Sequence, residues 1–373
     1  MTPDPQELDM LRDSAADVVA RRGDLKRLRE RRGTLPGFDP AQLQQMVELG
    51  WLGILVPEAQ GGLGLGLTGM ATVLQALGRG LMADPLPPVA LGTRVLCHAT
   101  GWSGAAERLA LVAQGRGLPV VAWQEGLGGI DPAAIAMQAL PDGDGWRLSG
   151  RKRFVAGAAA AAGYIVSARR GDGAALFWVD AQAPGLTLTQ EWRADQTPSG
   201  LLGLQGVHVG AAQCIADSLA PLHPALDEAA VLASAEMLGV IEAALQMALA
   251  YMRTRVQFGR PIGSFQALQH KAADLYVQQE LLRAVLQDAL RSFDGGDDRT
   301  AQALVASRCK ARASDAGLRV TREVIQLHGA IGYTDEHDAG LYLKRALVLA
   351  AWLGNAGAHR TRFAALQDEA AAV

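Results

Sequence analysis

The sequence has little cysteine, few aromatic residues and almost no net charge. Its three cysteines, Cys97, Cys214 and Cys309, are scattered and odd in number. They fit neither a disulfide framework nor a metal-binding motif, and they favour a reducing compartment, the cytoplasm. The 35 basic and 38 acidic residues leave a net charge of −3, so no charge bias points to nucleic acid or to an anionic membrane surface.

The sequence also lacks the patterns of a signal peptide and of a membrane span. The first residues, MTPDPQELDML, are acidic and contain no apolar signal core. The most apolar run, Ala229 to Tyr251, is interrupted by Glu236 and Glu242. These charges argue against burial in lipid, so we expect no segment that crosses a membrane.

The 373 residues are enough for two or three domains, and the 49% apolar content with 5% aromatic residues fits an Ala- and Leu-rich helical protein. Apolar spacing predicts a helix over Pro5–Arg22 and further helix over Val89–Ala113. Asp39 is a predicted N-cap for a helix through Leu49, with Pro40 at its first position.

The composition changes at Gly117 and divides the chain into three segments. Between 120 and 215, short apolar runs alternate with Gly, Asp and Pro, a pattern typical of strands joined by turns. Before and after this segment the pattern is helical. We therefore predict a helical domain over 1–118, a β domain over 119–220 and a helical domain over 221–373.

The most informative stretch is RVQFGRPIGSFQALQHKAAD, from Arg255 to Asp274. Arg255, Gln257 and Phe258 follow a buried helix, and Gln266 opens the next one. An arginine fork suits a pyrophosphate, and amides suit the polar edges of a nucleotide. On spacing alone, a second interpretation is a helix C-terminus whose arginine complements the dipole and whose aromatic rings fill a core.

This stretch closely resembles the flavin-binding corner of the acyl-CoA dehydrogenase family, whose pattern is Arg, any residue, Gln-Phe-Gly, any residue, Pro-Ile, then Phe-Gln. Two distant segments resemble the family as well. One is the N-terminal signature between Trp51 and Gly64. The other, Val324 to Ala346, is similar to the segment that reaches the adenine half of the flavin from a neighbouring subunit. There the resemblance implies that Gln326 is a polar contact, and Gly329 allows close backbone approach.

Inside the β segment the resemblance is looser. The tripeptide Trp123-Gln124-Glu125 falls where family members carry a threonine-glutamate pair whose backbone and hydroxyl face the flavin ring. Phe154 falls where they often carry tryptophan after Gly-Arg-Lys, and a phenyl ring can stack on an isoalloxazine edge. Ala156 replaces a family threonine, which removes one hydrogen bond of about 1 kcal/mol.

The resemblance covers essentially the whole chain and implies both fold and function. The implied fold is α+β and multidomain: an N-terminal helical domain, a middle β-barrel or β-sandwich, and a C-terminal four-helix bundle. The implied reaction is FAD-dependent α,β-dehydrogenation of an acyl-CoA thioester. Electron-transfer flavoprotein or a similar acceptor is the implied partner, in a homotetramer or a heterotetramer with a related subunit. No metal is expected, because the acids and histidines of 328–337 lack paired ligand spacing.

One part of the family pattern is missing, namely the catalytic base. Family members commonly carry a Glu shortly after the segment that corresponds to LYLKRA, but Gly354 or Asn355 occupies that place here. Other members carry it at the start of the long helix, where this chain has Ala229 preceded by Asp227 and Glu228. Glu228 is the predicted base, with Asp227 and then Glu236 as weaker candidates. Acids in a first helical turn also favour the helix dipole without any catalytic role.

Three functions remain open from the sequence. The first is an active flavin dehydrogenase with a relocated base. The second is a base-deficient subunit of a heteromeric dehydrogenase, as in bacterial members that act on steroid or other bulky acyl-CoAs. The third is a flavin-binding protein of this fold with other chemistry, because a fold does not determine a function.

Overall fold

The computed structural model describes residues 4–127 and 129–371. Within them the helices are α1 Pro5–Arg22, α2 Lys26–Glu30, α3 Pro40–Glu48, α4 Gly66–Arg79, α5 Leu86–His98, α6 Ala105–Ala113, α7 Leu222–Thr254, α8 Gln266–Gly295, α9 Arg299–His328, α10 Ala339–Ala351 and α11 Ala356–Ala371. The strands are β1 Pro119–Ala122, β2 Gln138–Asp142, β3 Gly145–Ala156, β4 Gly163–Arg170, β5 Gly173–Asp180, β6 Leu186–Trp192, β7 Pro198–Gly210, β8 Cys214–Ala216, β9 Val256–Gln257 and β10 Arg260–Pro261.

Capping residues determine where α1 and α3 begin. The Asp4 side chain accepts a hydrogen bond from the Gln6 amide, and Glu7 closes a capping box at the start of α1. The Asp39 carboxylate accepts from the Ala41 amide, with Pro40 at the first helical position of α3. Both predicted helix starts are therefore confirmed.

The stretch predicted as helical over Val89–Ala113 forms two helices, α5 and α6, with a break between them. The chain leaves helical geometry at Ala99 and resumes at Ala105. In the gap, the Trp102 indole N–H donates to the Ala212 carbonyl at 2.8 Å. This bond to a residue 110 positions away fixes the break through tertiary contact, which apolar spacing does not report.

The described residues form two compact units. The first comprises Arg31–Gly66 and Asp84–Ala229 and contains a mixed sheet of eight strands in the order β6-β7-β3-β2-β4-β5-β8, with β1 paired parallel to β4. Its core includes the fully buried side chains of Trp51, Tyr164 and Phe177. The helices α3, α5 and α6 belong to this unit.

The second unit is helical and comprises 4–30, Leu67–Ala83 and 230–371. Most of α7 and all of α8 to α11 belong to it, and the hairpin of β9 and β10 joins α7 to α8. By length and composition α7 would be able to cross a membrane, but 78% of its most apolar window is buried inside the protein, as expected for a core helix. The predicted order of helices, sheet and helices is confirmed, whereas the bounds of the three domains remain predictions.

Candidate flavin and thioester site

Four of the predicted cofactor residues lie at the corner between α7 and α8. All four are exposed, namely Arg255, Gln257, Phe258 and Gln266. Within the described residues the Arg255 guanidinium has no hydrogen-bond or ion-pair partner, so its donors are available to an anion. The backbone of Arg255 is fixed, since its amide donates to the Tyr251 carbonyl at 2.8 Å.

The hairpin tip carries an unusual aromatic residue. Phe258 and Gly259 have φ of 52° and 78°, as a two-residue hairpin with a primed turn requires. Phe258 is 92% exposed and meets Phe265 edge to face, with ring centroids 6.2 Å apart. A bulky residue in left-handed geometry costs of order 1 kcal/mol or more and is more frequent at functional sites. This position therefore fits a ligand contact better than a core role.

The end of α9 lies beside the end of α7. The ring of His328 stacks between Tyr251 and His337, with centroid distances of 4.7 and 4.3 Å. The two predicted residues on either side of His328 are exposed. They are Gln326 and Gly329, and nothing lies within 4 Å of where a side chain on Gly329 would begin. The structure thus brings these two residues to the same end of the helical unit as Arg255.

The remaining predicted cofactor residues belong to the first unit. Trp123 is buried, and Gln124 accepts a hydrogen bond at its backbone carbonyl from the Arg153 amide at 2.8 Å. Phe154 is half-buried, has φ of 56° and lies in an irregular stretch of β3 where the pairing with β7 shifts register. Bulges of this kind re-aim side chains next to active sites.

The predicted base, Glu228, forms a buried ion cluster with α5. Its carboxylate accepts two hydrogen bonds from Arg94, at 2.7 and 2.8 Å, and lies 3.0 Å from His98 Nε2. Burial opposes ionisation of Glu228, but the hydrogen bonds from Arg94 and His98 outweigh it and lower the pKa to about 2. A carboxylate held in this way is a weak base.

The two weaker candidates are also buried. Asp227 is buried in α7, and Glu236 is 0% exposed. The Glu236 carboxylate accepts from Arg345 Nε of α10 at 2.6 Å. This second ion pair ties two helices of the helical unit together.

The turn after α10, where the resemblance places the usual base, is fixed by two buried side chains. Lys310 Nζ donates to the carbonyls of Leu349 and Gly354, both at 2.9 Å, and His359 Nε2 donates to the Leu353 carbonyl at 2.9 Å. Leu353 and Gly354 both have left-handed backbone, with φ of 61° and 104°. The turn is rigidly braced, yet it presents no carboxylate.

Burial is the main cause of the shifted pKa values of Lys310 and His359. It lowers the pKa of Lys310 to about 7, and burial together with the Lys310 charge lowers the pKa of His359 to about 4. Sequence reasoning missed Lys310 and His359, as well as Arg94 and His98, because a polar residue in a helical pattern is ordinarily assigned to the exposed face.

The described side chains fit FAD. An unpaired guanidinium, exposed amides and an open glycine at one end of the helical unit match the chemistry of a dinucleotide with a pyrophosphate. Among residues 4–127 and 129–371, no group of three or more His, Cys, Asp or Glu is placed to hold a metal ion.

We expect Arg255→Ala to weaken FAD binding about 10- to 100-fold, since a charge-assisted hydrogen bond contributes roughly 1.5–3 kcal/mol. Flavin occupancy during titration of the flavin-free protein measures this. The matched control is Arg291→Ala, which removes an exposed guanidinium of α8 that faces Asp288 at 3.6 Å. Equal affinities for the two variants would exclude Arg255 from the cofactor site.

Comparison with known proteins covers nearly the whole chain. Family models match for the acyl-CoA dehydrogenase N-terminal domain at residues 5–108, the middle domain at 121–207 and the C-terminal domain at 222–366. Acyl-CoA dehydrogenase IpdE2 of Mycobacterium tuberculosis (strain ATCC 25618 / H37Rv) is 33% identical over 347 residues, which cover 93% of this chain and 92% of that protein.

Two solved structures extend the comparison. One, described as a variant of the Tcur3481-Tcur3483 steroid ACAD, has a TM-score of 0.90 and 34% identity over 99% of both chains. The ChsE4-ChsE5 complex from Mycobacterium tuberculosis has a TM-score of 0.88 and 27% identity over 98% of both chains. The resemblance drawn from the sequence is confirmed: the chain belongs to the acyl-CoA dehydrogenase family, FAD-dependent oxidoreductases that dehydrogenate acyl-CoA thioesters.

Proposed function

We propose that this chain is the base-deficient subunit of a heteromeric acyl-CoA dehydrogenase, in which a related chain supplies the carboxylate that removes the α-proton. The observation that carries the proposal is the turn after α10. Gly354 and Asn355 occupy the expected position of the base, and no Asp or Glu occurs between Arg345 and Asp368.

The buried acids of α7 support the proposal. A general base works best when its pKa lies near the operating pH. The pKa of Glu228 is held at about 2 by Arg94 and His98, which outweigh its burial, and the carboxylate of Glu236 is bonded to Arg345. Glu228 as the base remains a prediction, and its ion pair weighs against it.

The residues of this chain then have binding and orienting roles. When bound, FAD supplies the acceptor for the hydride from the β-carbon. Arg255 binds the pyrophosphate, and Gln257, Gln266 and Gln326 contact polar edges of the nucleotide. Phe258 covers an apolar part of the cofactor. Four further residues shape the cofactor site through their rings and backbone: Trp123, Gln124, Phe154 and Gly329.

The partner and the substrate follow from the same comparison. Two of the similar structures are named after pairs of proteins, and one of them is described as a steroid enzyme. We therefore propose a heterotetramer with a related subunit that acts on the CoA thioester of a bulky acid. Electron-transfer flavoprotein or a similar acceptor reoxidises the reduced enzyme. The three free cysteines favour the cytoplasm.

The test separates proton removal from flavin reduction. The chain is loaded with FAD, alone and after co-expression with a related subunit that carries the missing Glu. Each is mixed anaerobically with straight-chain and steroid-derived acyl-CoAs, and loss of the flavin band is followed. In parallel, a 3-thia-acyl-CoA in heavy water reports α-proton exchange by mass spectrometry. We expect neither signal from the chain alone and both signals from the pair.

The Glu228→Gln variant decides whether this chain contributes a base. In the active pair we expect it to change α-proton exchange less than about threefold, because a base with a pKa near 2 contributes little at neutral pH. A chain that exchanges the α-proton on its own, and loses this ability on Glu228→Gln, would contradict the proposal and identify Glu228 as the base.

A further inference from the structure

Lys152 is a completely buried ammonium group in β3. Its side chain is 0% exposed. Nζ donates to Glu125 Oε1 at 2.6 Å, to Ser167 Oγ at 2.9 Å and to the Trp123 carbonyl at 3.3 Å. Burial lowers the pKa of Lys152 to about 8, against the opposing effect of Glu125.

The carboxylate of Glu125 is the second half of this arrangement. Besides Lys152, it accepts hydrogen bonds from the amides of Ala136, at 2.7 Å, and Met137, at 3.1 Å. One ion pair therefore joins three segments of the first unit: 123–125, 136–137 and β3. Buried ion pairs contribute little net stability compared with apolar residues of similar size, and their best-attested use is to specify register.

The Lys152–Glu125 pair is adjacent in sequence to the residues of the first unit that we assign to the flavin. Glu125 directly follows Trp123 and Gln124, and Lys152 precedes Phe154 by two residues. These are the three residues of the first unit that we assign to the flavin. The register shift of β3 against β7 lies between Lys152 and Val155 and so includes Phe154, whose backbone is left-handed.

We propose that Lys152 and Glu125 are positioning residues for the flavin: the pair holds the 123–124 backbone and the Phe154 ring in the relative register that the isoalloxazine requires. This inference rests on the cofactor assignment made under the proposed function. It predicts that loss of either partner disorders the flavin environment without removing any group that touches the flavin.

The test compares Lys152→Met and Glu125→Gln with two controls, Lys271→Met and Glu323→Gln. Lys271 and Glu323 form an exposed pair at 2.8 Å, so each control makes the same chemical change outside the proposed arrangement. The readouts are FAD affinity by fluorescence quenching, the visible flavin band and the free energy of unfolding. We expect FAD affinity to fall at least about tenfold in both test variants, with a shifted flavin band, since misplaced contacts are lost together. Both controls should stay within about twofold of the wild type.

A double variant, Lys152→Met with Glu125→Leu, separates positioning from stability. Replacing a buried ion pair by apolar residues is often neutral for stability, so we expect its unfolding free energy to return toward the wild-type value while FAD binding stays weak. Recovery of FAD affinity in the double variant would overturn the inference, as would unchanged affinity and spectrum in Lys152→Met and Glu125→Gln. Glu125→Gln keeps the side-chain shape and supplies the result should Lys152→Met fail to fold.

The outcomes also separate this inference from the proposed function. A wild-type protein that takes up no FAD, alone or with its partner, would overturn the cofactor assignment and the positioning role together. If the wild type binds FAD and the Lys152 and Glu125 variants bind it equally well, the positioning role alone is overturned. The heteromeric proposal is read from α-proton exchange by the FAD-loaded wild type, alone and in the pair, and no Lys152 or Glu125 variant enters that comparison.

Discussion

Glu236→Gln lowers the free energy of unfolding by about 3–5 kcal/mol, the usual effect of removing one partner of a buried ion pair. Glu236 is 0% exposed, and Arg345 Nε donates to its carboxylate at 2.6 Å. The substitution removes the carboxylate charge that faces the buried Arg345 guanidinium, and in the protein interior water does not replace it. Urea denaturation of the flavin-free chain measures the effect as a shift of the midpoint.

The control for this prediction is Glu323→Gln, which breaks the exposed pair with Lys271. Exposed pairs contribute at most about 1 kcal/mol, so the midpoint should hardly move. A third variant, Glu236→Gln with Arg345→Met, removes both charges and should recover part of the loss, which a double-mutant cycle quantifies. A loss below about 1 kcal/mol for Glu236→Gln would show that the pair contributes no more than a surface pair does.

Local signals predicted local structure well. Asp39 and Pro40 specify the start of α3 through one side-chain hydrogen bond and one fixed dihedral, both within three residues of sequence. The break at Ala99–Gly104 was missed because Trp102 is anchored to Ala212. Such a contact is invisible to any short window of sequence.

In the candidate site, too, features formed by neighbouring residues were predictable, whereas contacts between residues distant in sequence were not. The corner at Arg255 was readable because its residues are contiguous, so a family string can be matched against them. The state of Glu228 was not readable, since its partner Arg94 lies 134 positions away. Pairing of this kind sets a pKa, and therefore decides whether an acid can act as a base. The sequence identified the family and showed that no acid occurs between Arg345 and Asp368, but the electrostatic environment of the acids in α7 required the fold.

Acidification should destabilise the protein through His359, which is 3% exposed. Burial and the nearby Lys310 charge lower its pKa to about 4, below the value of about 6.5 in an unfolded chain. Because the unfolded state then binds more protons, the stabilisation is complete above about pH 6.5 and is lost as the pH falls toward about 4. The difference between these values corresponds to about 2 kcal/mol by pH 5 and about 3 kcal/mol by pH 4.

The His359→Gln variant isolates the contribution of His359 to the pH dependence of the free energy of unfolding. The glutamine amide can keep the donor to the Leu353 carbonyl, which His359 Nε2 reaches at 2.9 Å, but it does not titrate. We expect the urea midpoints of the two proteins to lie close together near pH 7 and to separate toward pH 5, because those of the wild type fall more steeply than those of His359→Gln. Titrating groups other than Lys310, whose charge acts on His359, are common to both proteins and cancel in the difference. The exposed His208, changed to Gln, should leave the wild-type slope unaltered. Parallel curves for wild type and His359→Gln would mean that the imidazole is free to charge in the folded state, and that the turn at Leu353 is not held by a neutral ring.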